Sequence, residues 1–310
     1  MRVALALGSG GGRGYAHLGV LAALEARGHE VIALAGTSVG ALVGGLFAAG
    51  RHHDFTAWAQ GLTQRDIVLL LDPVLGGSGI IRAQRVLERV TELLDGARIE
   101  ELPIPFTAVA TDLTSQREVW FQHGPVASAI RASIAIPTVI TPVMLRGHVL
   151  ADGGLMNPVP LDALVGHAAD ITVAVDLNAP PALRGGGRPV SESSDEANGP
   201  AWLERLRQTA AQIGRPRETP ESVIEVAAAV EAAAHGIADP PRDLKATDVL
   251  TLSLNASQAL VTRFRTAANP PDLWVNVPVD SRGVLDFLRA ADQIALGREL
   301  ADAALDAAGL

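Results

Sequence analysis

The first fifty residues constrain the fold more than any other stretch. A short β-prone run, Arg2 to Leu7, ends in a glycine-rich loop, Gly8 to Gly14. A helical pattern follows from Tyr15 to Arg27, with Ala16, Gly19, Val20, Ala23 and Leu24 on one face, and Gly28 stops it. A second β run, Val31 to Ala35, leads into Gly36-Thr37-Ser38 and a second helix from Val39 to Gly50. Strand, helix, strand, helix at this spacing predicts an α/β protein with a three-layer α/β/α arrangement and a mainly parallel central sheet.

One segment admits a different fold. Val31 to Gly50 is uncharged and long enough to span a bilayer, and Gly36, Gly40 and Gly44 repeat the spacing of membrane helix pairs. Gly36-Thr37-Ser38 interrupts the run near its middle, which favours a buried strand, a tight turn and a buried helix. No transmembrane segment is expected. The apolar run Val3 to Leu7 is too short for the core of a signal peptide, so a cytoplasmic protein is expected, peripheral to the inner membrane face if it meets lipid there.

Further elements are predicted at Arg82–Asp95 (helix), Phe106–Ala110 (strand), Pro125–Ser133 (helix), His148–Ala151 (short strand) and Ile171–Asp176 (strand). Pro180 to Pro200 turns to Gly, Ser and Pro and reads as a flexible loop. Helical stretches follow at 201–212, 220–235 and Ala246–Ala267, then a strand at Leu273–Val279 and a closing helix at Val284–Ala303. A single domain of 310 residues is expected: a catalytic core over 1–180, the loop 181–200, and a helical region with one strand over 201–310.

Composition removes whole classes of function. The net charge of −9 argues against a nucleic-acid binder. The absence of cysteine excludes disulfides, Cys-ligated zinc and thiol catalysis. Lys245 is the only lysine and follows no glycine-rich phosphate loop. No metal and no cofactor is expected.

Gly36-Thr37-Ser38-Val39-Gly40 fits G-x-S-x-G, the nucleophile elbow, in which a serine on a strand-to-helix turn lifts its hydroxyl into a cleft. A histidine base is harder to find. Triads on α/β-hydrolase folds run serine, acid, histidine, and only His167 and His235 follow Asp152, neither in a distinctive setting. Asp152 opens Asp-Gly-Gly directly after a predicted strand, and a positioned, partly desolvated carboxylate can act as a general base. An Asp-Gly turn of no chemical importance fits the same residues. The loop Gly8 to Gly14 precedes a helix, a setting in which backbone N–H groups receive an anion. That anion is an oxyanion in a hydrolase and a pyrophosphate in a dinucleotide enzyme. The strict G-x-G-x-x-G fails in every register: Arg13, Tyr15 and Ser9 each occupy a place where glycine is required.

Three motifs in this order resemble those of the patatin-like phospholipases, and in particular bacterial members of the neuropathy-target-esterase-like group. The run Gly10-Gly11-Gly12-Arg13-Gly14-Tyr15-Ala16-His17-Leu18-Gly19-Val20-Leu21 is similar to that group's opening block. Ala110-Thr111-Asp112-Leu113 and Arg131-Ala132-Ser133-Ile134-Ala135-Ile136-Pro137 are similar to two further blocks. The resemblance implies a patatin-like fold and a Ser38–Asp152 dyad without histidine. It also implies an oxyanion site from Gly10, Gly11, Gly12 and Arg13, and a lipid ester or lysophospholipid as substrate. Ser9 departs from members with glycine there, and its N–H remains a possible donor. The other outstanding residues have plainer expectations. His17 is read as structural, Asp112 as a turn cap, Arg131 as a packing or ion-pair residue, and Ser133 as a weak rival nucleophile without an elbow. Phe47, Phe55 and Trp58 are assigned to core packing ahead of an acyl pocket. The alternatives kept open are a Ser-His-Asp esterase and a non-catalytic lipid-binding regulator.

Overall fold

The computed structural model describes residues 1–71, 79–81, 83–180, 246–283 and 286–310. The expected loop at 181–200, the helices at 201–212 and 220–235, and His235 lie outside the described residues. Contacts divide the chain into two compact units: Met1–Ala182 with Leu252–Leu310, and Leu183–Thr251. The first carries everything described below. Of the second, only 246–251 are described, at the start of a helix.

The elements in chain order begin with β1 (Arg2–Leu7), α1 (Tyr15–Ala26), β2 (Glu30–Thr37), α2 (Val39–Ala48), α3 (His52–Gln60) and α4 (Gln64–Leu71). Then come β3 (Gly79–Ile81), α5 (Gln84–Leu94), β4 (Phe106–Asp112), β5 (Arg117–Phe121) and α6 (Val126–Ser133). β6 (Thr138–Ile140), β7 (Val143–Leu145), β8 (His148–Asp152) and β9 (Ile171–Ala179) follow, and α7 (Ala246–Ala268), β10 (Leu273–Pro278) and α8 (Ala290–Ala308) close the chain. The main sheet has the order β10-β9-β1-β2-β4-β8-β7, with β5 also paired to β4. The strands from β10 to β4 run parallel; β5, β8 and β7 add the antiparallel part. This is the expected α/β architecture with a mainly parallel sheet. Val31 to Gly50 divides between β2, the serine turn and α2, and no described helix is long and apolar enough to cross a membrane.

β1 explains how the sheet is covered. Its side chains alternate in size: Val3, Leu5 and Leu7 face the larger core, and Ala4 and Ala6 face the other side. The bulky face packs against Leu21 and Leu24 of α1, Val43 and Leu46 of α2, and Leu305 of α8, all buried. Each such leucine contributes about 1.5–3 kcal/mol by leaving water. On the alanine face, Ala33, Ala35 and Ala174 continue the pattern and admit Val159, Leu161 and Leu164 from a short 3₁₀ segment and the chain before it. The closing helix meets α1 backbone to backbone. A Cβ on Gly19 would stand 2.0 Å from the Ile294 carbonyl, and one on Gly297 2.1 Å from that of Ala16.

The closing helix also differs from expectation. It begins at Ala290, because Arg289 adopts a left-handed conformation at φ 62°, and it runs to Ala308, where Gly309 at φ 72° ends it. His167 lies just beyond a 3₁₀ turn, not on a helix.

Candidate functional site

The registers along β4 bring the two motif residues together. β5 takes one edge of β4, pairing with Ala108 to Asp112. β2 and β8 therefore share the other edge. β2 runs up it to Thr37, opposite Val109, and β8 runs down it to Asp152, opposite Ala110. The two strands end head to head, one register step apart. Ser38 Oγ donates to Asp152 Oδ2 at 2.5 Å, across 114 residues of sequence.

Each partner is fixed from elsewhere. Ser38 sits in the strained turn at φ 58°, ψ −125°, which opens α2. Its N–H donates to Ser133 Oγ at 2.8 Å, and that hydroxyl donates to the Val109 carbonyl at 2.6 Å. The Asp152 N–H donates to the Ala135 carbonyl at 2.9 Å, and Asp152 Oδ1 accepts from the Gly154 N–H at 2.7 Å. The end of α6 thus holds both nucleophile candidate and base candidate. Ser133 is not a rival nucleophile: it is fully buried and both its bonds are structural. Replacing Ser133 with Ala is expected to lower kcat about 10- to 100-fold with KM unchanged, because the elbow loses its tether. Steady-state kinetics on an aryl ester checks this.

The glycines of these motifs are required for space. A Cβ on Gly36 would lie 2.4 Å from the Gly40 carbonyl, and one on Gly40 2.1 Å from that of Leu7. Gly153 does not use the conformational freedom that the sequence suggests. Its φ is not positive, and a Cβ there would stand 2.2 Å from the Val109 carbonyl. Gly40→Ala is expected to destabilise the protein by about 3 kcal/mol, seen as a lowered denaturant midpoint at constant slope.

Asp152 is 4% exposed. Burial pushes its carboxyl up to about 6, against the opposing effect of the Ser38 hydroxyl and the Gly154 N–H. The carboxylate is therefore the larger fraction at neutral pH while holding a proton affinity suited to base catalysis.

The glycine loop lies beside the serine, with Gly11 and Ser38 on one cavity wall. Among the described residues, no acceptor meets the N–H groups of Gly10, Gly11 and Gly12. Ser9 cannot join them, since its N–H donates to the Pro158 carbonyl at 2.9 Å. Arg13 does not join them either. Its N–H points back to the Gly10 carbonyl at 3.4 Å. Its buried guanidinium donates to the Val279 and Arg282 carbonyls and to Asn178 Oδ1. Asn178 in turn donates to the Ser9 carbonyl at 2.9 Å. Burial lowers the Arg13 guanidinium to about 10, opposed by Asp176, so it remains a cation bracing the loop. His17 braces the same loop. It is fully buried, its Nε2 is 2.8 Å from the Gly8 carbonyl, and burial lowers it to about 4, so the neutral ring donates this bond.

Ser38 opens onto an apolar cavity of about 110 Å³. Its wall includes Leu42 and Val43 of α2, Phe55 and Trp58 of α3, and Ile134 and Ile136 after α6. Phe55 packs in the core with Phe47, and Trp58 packs against it, as the sequence suggested; Phe55 and Trp58 also line the cavity. Asp112 behaves as expected, capping the turn through the Thr114 and Ser115 N–H groups. Those bonds and the Ser115 hydroxyl hold its carboxyl near 2. Arg131 donates to the Thr141 carbonyl at 2.7 Å. His167 is exposed and bonds to neither Ser38 nor Asp152 through its side chain.

The chain is similar to known proteins. The family model of the patatin-like phospholipases matches residues 5–165. Uncharacterized NTE family proteins of Mycobacterium bovis and Mycobacterium tuberculosis are each 42% identical, covering 99% of this chain and 92% of their own length. Patatin-like phospholipase domain-containing protein 7 of Mus musculus is 31% identical over 56% of this chain and 13% of its own length. VipD from Legionella pneumophila, a solved structure, covers 99% of this chain and 66% of its own at 13% identity and a TM-score of 0.44, too distant to argue from. The chain belongs to the patatin-like phospholipase family.

Proposed function

We propose that this protein is a serine hydrolase that cleaves single acyl ester bonds of lipids, with lysophospholipids and simple fatty esters as the substrate class. The observation that carries this is the 2.5 Å contact between Ser38 Oγ and the buried Asp152 Oδ2 at the mouth of an apolar cavity. Ser38 Oγ attacks the acyl carbonyl as its proton passes to Asp152 Oδ2. The N–H groups of Gly10, Gly11 and Gly12 receive the oxyanion; each such donor is worth about 2.7–4 kcal/mol in the transition state. Asp152 then protonates the departing alkoxide, leaving the acyl group on Ser38. Water attacks next, gives its proton to Asp152, and the returning serine takes it back as the fatty acid leaves.

The cavity wall offers an acyl chain apolar contact, and among the described residues no charged side chain lines it. That supports recognition through the chain, with the head group left outside. The exposure of His167 supports a dyad over a histidine triad. A fluorophosphonate probe is expected to label Ser38 in the folded protein and to block release of fatty acid from lysophosphatidylcholine. Folded protein that resists the probe overturns the proposal and favours a lipid-binding regulator.

A further inference from the structure

A second cluster of reactive side chains lies where α3 starts beside the end of α1. His52 is 9% exposed, and its ring packs on Phe47 with centroids 4.6 Å apart. The ring of His53 lies 4.0 Å from it on the exposed side. Glu25, from the last turn of α1, brings its Oε1 to 3.5 Å from His52 Nε2. One ligand atom from each of the three residues lies within 4.8 Å of the others.

Among the described residues, His52 Nδ1 is buried without a hydrogen-bond partner, and Nε2 faces only the Glu25 carboxylate, too long at 3.5 Å for a good hydrogen bond. Among the described residues, Glu25 has no arginine or lysine partner and meets only His52.

We propose that Glu25, His52 and His53 bind one divalent transition-metal ion of the zinc type. Two imidazoles and a carboxylate suit Zn²⁺ and its neighbours, whereas Mg²⁺ and Ca²⁺ take oxygen ligands. Bonds of about 2.0–2.2 Å require the ligand atoms to close in from their present separations. Glu25 and His53 are exposed and free to do so around the fixed ring of His52. Water takes the fourth position. The ion would pin α3 to α1, and α3 also carries Phe55 and Trp58 of the cavity wall. Its effect is thus on the acyl pocket, at a distance from Ser38. The sequence concealed this site, because Glu25 stands 27 residues before His52.

The test uses the full chain without an affinity tag, stripped with a chelator and titrated calorimetrically with zinc chloride. Wild type is expected to bind one equivalent and to melt at a higher temperature with zinc. His53→Ala and Glu25→Gln are expected to weaken binding at least about tenfold and to abolish the rise in melting temperature. His167→Ala is expected to keep both. Both replaced side chains are exposed, so the metal-free variants should melt with wild type. Cobalt(II) is a second measure, giving a visible absorption band with wild type and none with the variants. The proposal is overturned if wild type shows no saturable zinc binding, if both variants bind as wild type does, or if magnesium competes at equal concentration.

Discussion

Ser38→Ala is expected to reduce hydrolysis of a short-chain aryl ester and of lysophosphatidylcholine by at least about 10³-fold. No second hydroxyl replaces the one removed. Among the described residues, Ser133 is the one other serine bonded to this centre, and its Oγ is engaged with the Ser38 N–H and the Val109 carbonyl. Alanine keeps the Cβ and hence the strained turn at φ 58°, so the variant should melt close to wild type. Turnover at the wild-type rate in purified Ser38→Ala would remove Ser38 as the nucleophile.

Asp152→Asn is expected to bring a comparable loss of activity together with a gain in stability. The amide retains the shape and accepts from the Gly154 N–H, but takes no proton from Ser38. In the wild type, kcat/KM should rise tenfold per pH unit up to about 6 and then level, as the buried carboxyl ionises. The stability effect has the opposite sense to that of a salt-bridged carboxylate. The folded state holds the proton more tightly than the unfolded chain, whose aspartate titrates near about 3.9. Stability attached to this group is therefore fully present below the unfolded value and is lost as pH rises through about 6. At neutral pH the buried charge costs on the order of 2–3 kcal/mol, which the asparagine avoids. Denaturant melts should show Asp152→Asn more stable at pH 7.5, with the difference gone near pH 4. A difference that does not change with pH would remove the buried charge as its cause.

Much of the fold was legible because its strands are apolar and short and end at glycine or a turn. β1, β2, β4, β8 and β9 fall where the sequence puts them, each one to three residues longer or the same. Elements with a less distinct pattern escaped notice. α3 opens on Arg51, His52, His53 and Asp54, a polar run without an apolar stripe, yet it supplies Phe55 and Trp58 to the cavity. β6 and β7 are three residues each, too short for alternation to register. At the site, Ser38 and Asp152 were readable from motifs. The tethers were not, because no local pattern states that Ser133 reaches Ser38 across 95 residues. Arg13 shows the converse. Its place in a conspicuous motif suggested contact with the oxyanion, while its long side chain turns away to carbonyls 266 and 269 residues later.

The shared edge of β4 has a further consequence. β2 and β8 do not pair with each other; both meet the same edge of β4, while β2 is also held by β1 and β8 by β7. Ser38 is in place once β2 docks, yet Asp152 does not reach it until β8 is laid down from the opposite end. Synthesis delivers these pieces in order, with Asp152 emerging more than a hundred residues after Ser38. A chain caught before that point would hold the Ser38 turn without its carboxylate partner. The contact between Ser38 and Asp152 therefore forms only after β8 has docked on β4.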